Sequence, residues 1–107
     1  MMAEDDTFAG VEITGPGGHS YAEFLANCEE CRAAEDVYLV WAQGFMAALN
    51  IHRALGGSPV KNVRVHADFE QSARIRGLHE RRHPGGGYFF AVAAYFKSLP
   101  DCVAPSH

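Results

Sequence analysis

Tyr38–Asn50 reads YLVWAQGFMAALN, an apolar run punctuated by one tryptophan, a central glycine and a closing asparagine. Tyr38, Trp41, Ala42, Phe45, Met46 and Leu49 recur at the three- and four-residue spacing of one helix face, and His52 or Arg53 extends the stripe. The helix built on this stripe is predicted to begin near Asp36, whose carboxylate suits an N-cap or first-turn position, and to run to Leu55 ahead of Gly56-Gly57. Gly44 lies between Gln43 and Phe45. A glycine in a helix interior costs about 1 kcal/mol relative to alanine, so it predicts close approach by another backbone.

Working outward, Ser20-Tyr21-Ala22-Glu23 has the form of a capping box and predicts a first helix from Tyr21 to about Ala33. Ahead of it, Thr7–Thr14 alternates weakly and leads into Gly15-Pro16-Gly17-Gly18, so residues 1–18 read as an extended arm and loop. Beyond the long helix, 58–67 reads as a connection with a brief extended piece at Asn62–His66. Asp68-Phe69-Glu70-Gln71 offers a second capping pattern and opens a third helix through Leu78, which Pro84 and three glycines end. The fourth helix, about Tyr88 to Leu99, is apolar almost all round and so belongs at the centre of the molecule. Pro100 stops it, and 100–107 is a tail. The expected fold is all-α: one compact four-helix domain over 1–107, with its helical core at 19–99 and a short extended N-terminal segment.

Length and composition agree with one folded domain: 107 residues, 48 % of them hydrophobic and 21 % charged. Phe24, Trp41, Phe45, Phe69, Phe89, Phe90 and Phe96 are available for an aromatic-rich core. A net charge of −4 disfavours direct nucleic-acid binding, which draws on clustered Lys and Arg. Acidic residues concentrate before residue 37 and basic ones after it. Either the two halves neutralise each other across the fold, or an acidic face is offered to a basic partner. No apolar run is long enough to cross a membrane, and the acidic start MMAEDD does not read as a signal peptide. The expected location is cytoplasmic, or periplasmic if a leader has been removed.

His79-Glu80-Arg81-Arg82-His83 matches H-E-x-x-H, and Gly86 extends the match. On a helix this spacing sets two imidazoles on one face to hold zinc while the glutamate activates water. Against it, Pro84 disfavours helical geometry at His83, and Phe89 stands where the long motif needs a ligand. His107, Asp101, His19 and His66 are the remaining third ligands, at no recognisable spacing. The competing reading is a solvated basic helix end complementing the helix dipole.

Cys28 and Cys31 have C-x-x-C spacing, but their acidic neighbours disfavour a reactive thiolate, and a zinc site joining them to His79 and His83 would close an unusually long loop. Cys102 reads as structural or incidental. Trp41 and Asn50 read either as a ligand pocket or as core, and His52 as a half-buried histidine. Gly85-Gly86-Gly87 lacks the strand and lysine of a phosphate loop, and nucleophile-elbow and dinucleotide motifs are absent. No catalytic residue and no cofactor is expected.

The order S-Y-A-E-F-L from Ser20, Y-L-x-W-x-x-G-F-x-x-x-L-N from Tyr38, and H-P-G-G-G-Y-F-F-A-V-A-A-Y from His83 resembles a group of small all-helical periplasmic proteins. That group includes immunity proteins against type VI secreted amidases and shares a compact fold similar to acid-stress chaperones. The resemblance spans about residues 19–99 and implies noncatalytic binding and occlusion of another protein. Those relatives carry paired cysteines at positions matching Tyr21 and Glu80. The joint absence of both suits a cytoplasmic relative and weakens transfer of the amidase as target.

The function expected from the sequence is a noncatalytic inhibitor or immunity-type protein, of the kind phages and mobile elements carry, that masks one partner protein with a basic working surface. Its expected binding face is acidic: Glu23, Glu29, Glu30, Glu35 and Asp36. A small zinc hydrolase using His79, Glu80 and His83 is one alternative. A homo-oligomeric chaperone-like or structural module is the other.

Overall fold

The computed structural model describes residues 12–30 and 33–102, with the side chain of Glu30 excepted. Most of the expected arm, Cys31, and the tail from Val103 to His107 lie outside the described residues. Within them are four α-helices: α1 (Tyr21–Glu30), α2 (Ala33–Leu55), α3 (Asp68–Arg82) and α4 (Tyr88–Ser98). The fold is all-α, as expected.

The sequence YFFAVAAYFKS has almost no polar face to offer water, and α4 takes the centre: Tyr88, Phe89, Ala91, Val92, Tyr95 and Phe96 are buried. Tyr38, Leu39, Ala42 and Met46 of α2 close on it, with Trp41, Phe45 and Leu49 partly buried beside them. α1 contributes Phe24, whose ring stacks on Tyr88 (centroids 5.8 Å apart) and meets Tyr38 edge-on at 4.8 Å. α3 contributes Gln71, Ile75 and His79, three residues at four-residue spacing on an otherwise polar helix. Full burial of a Phe, Met, Ile or Val side chain is worth about 1.5–3 kcal/mol, so this shared cluster is the main source of stability.

The first capping box forms as expected. The Ser20 amide donates to Glu23 Oε1 (3.0 Å) and the Glu23 amide to Ser20 Oγ (3.2 Å). The second does not. α3 is preceded by Ala67 with no side-chain cap, because Gln71 turns inward and donates to the Val63 (3.1 Å) and His66 (2.9 Å) carbonyls. Asp68 accepts instead from Gln43 of α2 (3.0 Å). α2 runs from Ala33, ahead of the expected start, which leaves Glu35 and Asp36 in its first turn. The loop at Gly15–Gly18 is a 3-10 turn.

Extended pairing lies one residue before the piece expected at Asn62–His66, which is mostly turn. Lys61 forms an antiparallel bridge with Asp101, flanked by hydrogen bonds from the Asn62 amide to the Pro100 carbonyl and from the Cys102 amide to the Val60 carbonyl (both 2.8 Å). Asn50 holds this closure in place. Its Oδ1 accepts from the Lys61 amide (2.7 Å) and its Nδ2 donates to the Lys61 carbonyl (3.0 Å), as a neighbouring strand would. The closing asparagine of the quoted stretch is therefore a bracket rather than a pocket residue.

Gly44 corrects the expectation attached to it. The residue is exposed, and a Cβ built there meets nothing within 4 Å. The close approaches are at Gly17, where a Cβ would collide with the Trp41 indole, and at Gly87, where it would stand 2.8 Å from the Gly17 carbonyl oxygen. His52 is likewise exposed, not half-buried.

Candidate functional site

The H-E-x-x-H segment is split by the end of α3. His79 is on the helix, whereas His83 has φ −135° and ψ 48°, outside helical geometry, as the following proline requires. The two rings therefore do not share a helical face. The His79 side chain is 0 % exposed and its Nε2 donates to the Gly86 carbonyl (2.9 Å). Tyr21, Phe24 and Tyr88 surround the ring at centroid distances of 5.5, 6.3 and 5.7 Å, and Nδ1 has no hydrogen-bond partner. Burial, opposed by the Gly86 bond and aided by His83, holds its pKa below the ordinary histidine value. His79 is thus a neutral core group, and among the described residues no three His, Cys, Asp or Glu side chains converge as metal ligands.

Cys28 is half-buried and unbridged. Burial first, then the charge of Glu35, raises its pKa, the opposite of what a reactive thiolate needs. Its sequence partner Cys31 lies outside the described residues.

The expected acidic face is dispersed. Glu23 and Glu29 are exposed but stand six residues, or about 120°, apart around α1, and Glu23 serves the cap. Glu35 turns inward, where it accepts from Arg76 Nη1 (3.0 Å) and Ser72 Oγ (3.2 Å) and ties α2 to α3. Asp36 is exposed on the wall of an open groove of ≈ 970 Å³ between α2 and α3, which Asp68, Val40 and Phe69 also line.

The broader feature is one the sequence reading passed over. α2 has a second apolar stripe opposite the first: Val37, Val40, Gly44, Ala47, Ile51 and Leu55, again at three- and four-residue spacing, all exposed. Val37 is 58 % exposed, Val40 68 %, Ile51 61 % and Leu55 85 %, and Phe69 at 79 % continues the apolar surface across the groove. No polar residue interrupts the stripe, and Gly44 is the midpoint of Ala33–Leu55. The signal was available in the spacing. It was masked by the richer inner stripe, which carries the aromatic residues and satisfies the usual pattern alone.

No helix among the described residues is long and apolar enough to cross a membrane. No family model matches the chain, and neither does any curated protein or solved structure.

Proposed function

We propose that the chain is a noncatalytic protein-binding domain of the inhibitor or immunity type, and that its docking surface is the outer face of α2. The observation that carries this reading is a continuous exposed apolar stripe along the longest helix, on a molecule whose other chemistry is turned inward. A continuous exposed apolar stripe on a helix marks an interaction surface, and the described residues cover only the opposite face. Protein interfaces have an apolar centre and a polar rim; Asp36 on the groove wall supplies part of such a rim, so the acidic residues act at the edge of the interface.

The proposal keeps the resemblance to amidase-immunity proteins. Burial first, then the charge of Glu80 and a hydrogen bond to it, raise the pKa of Tyr21, and these two residues stand where the relatives carry their bridge cysteines. The setting proposed is cytoplasmic, because Tyr21 and Glu80 stand where the exported relatives carry paired cysteines. A homo-oligomeric module is the second reading, favoured by the placement of the stripe about Gly44.

The test is a photo-crosslinking residue placed at Val40, and separately at Glu29, in the native host. Adducts to another polypeptide from position 40 are expected. Adducts confined to position 29 return the binding face to α1 and overturn the α2 assignment.

A further inference from the structure

Resting on the reading of α2 as the docking face, we propose that its occupant is a second copy of this chain, the two α2 helices packing antiparallel about a two-fold axis at Gly44. The charge placed along the helix favours this partner. The first turn carries Glu35 and Asp36 and the last carries His52 and Arg53. Asp36 and His52, both exposed, lie eight residues either side of Gly44, whereas Glu35 and Arg53 face away from it, toward Arg76 and the Pro59 carbonyl. Antiparallel pairing centred there sets the acidic end of each helix beside the basic end of the other, and opposes the helix dipoles; parallel pairing stacks like on like.

The apolar residues obey the same midpoint. Val37 stands seven residues before Gly44 and Ile51 seven after, so each meets the other across the axis. Val40 comes opposite Ala48, a large side chain against a small one. Gly44 meets its own copy, where the missing side chain permits the closest approach of the two backbones; among the described residues outside its own helix nothing lies within 4 Å of a Cβ there. A two-fold interface must be self-complementary in this way, whereas a different protein imposes no such midpoint.

The available surface is also sufficient. A 23-residue helix is roughly 35 Å long. A contact strip of that length buries roughly 600 Å² per copy, and the pair reaches the lower end of stable interfaces at about 1,200 Å².

The experiment uses the full chain. Sedimentation equilibrium from about 1 to about 100 µM is expected to resolve a monomer–dimer equilibrium, with Val40→Glu raising the dimer dissociation constant roughly 100-fold while its helical circular dichroism is retained. A crosslinking residue at Val37, in mixed ¹⁴N- and ¹⁵N-labelled protein, is expected to give intermolecular adducts at Ile51 and neighbouring residues. Adducts from 37 to 37 overturn the antiparallel register. Intramolecular adducts to residues 1–11 or 103–107 overturn the second copy in favour of a segment of the same chain, and co-flotation of the monomer with phosphatidylcholine vesicles overturns it in favour of lipid. A monomer throughout, with adducts from Val40 to a different protein, removes the dimer but leaves the docking face; a monomer with no intermolecular adduct from Val37 or Val40 removes both.

Discussion

His79 shows how one residue type can be read as chemistry from its spacing and turn out to be packing. Its Nε2–Gly86 bond fixes the proton on Nε2, and the ring stays neutral because protonation would bury a charge among Tyr21, Phe24 and Tyr88. The sign of the pH effect follows. The folded pKa lies below the ordinary value of about 6.5, so below that pH the unfolded chain binds the extra proton first and stability falls. Urea titrations are expected to show a loss beginning below about pH 6.5, with a slope from this group of at most about 1.4 kcal/mol per pH unit. His79→Leu is expected to flatten that part of the slope even though losing the Gly86 bond lowers stability at pH 7. An unchanged slope in the variant would assign the effect to other groups. The glycines make a paired prediction at the same scale. Gly17→Ala is expected to cost about 1–3 kcal/mol, because its Cβ meets the Trp41 ring. Gly44→Ala, in open space on an exposed helix, is expected to stabilise the monomer by about 0.5–1 kcal/mol. At concentrations dilute enough for the chain to be monomeric, thermal melts of the two variants should therefore move in opposite directions.

Elements were legible where local chemistry governs them. The Ser20–Glu23 cap, the central burial of α4 and the halt at Pro84 all follow from residues adjacent in sequence. What was not legible depends on distant partners. Gln71 leaves its expected capping role because two loop carbonyls eight and five residues back need a donor. Glu35 leaves the acidic surface because Arg76, forty-one residues on, lies across the groove. Spacing alone cannot distinguish an exposed glutamate from one spent on a neighbouring helix. Charge reversal separates them: Glu29→Lys is expected to leave the melting temperature nearly unchanged, since exposed charges contribute little. Glu35→Lys opposes two like charges across α2 and α3 and is expected to lower stability by about 1–2 kcal/mol. Equal melting temperatures for the two variants would show that the Glu35–Arg76 link contributes nothing.

At the scale of the whole molecule, α4 and α2 pose the same physical problem and receive different answers. Both are apolar on more than one side. α4 is only 11 residues long and three other helices surround it, whereas α2 has 23 residues and presents its outer stripe to solvent. Among the described residues no further helix lies across that stripe, and on the proposed reading another molecule covers it. If that molecule is a second copy, stability becomes a function of concentration, because association draws on the folded state alone. The melting temperature of the wild-type chain is then expected to rise by several degrees between about 1 and about 100 µM, since 1 kcal/mol moves the midpoint of a domain this size by about 4–8 °C. Val40→Glu is expected to melt at one temperature throughout that range, close to the wild type at its most dilute. The substitution adds a charge at an exposed position and removes no contact from the core, so it tests association without weakening the fold. A wild-type midpoint that ignores concentration would leave the outer face of α2 to a different partner.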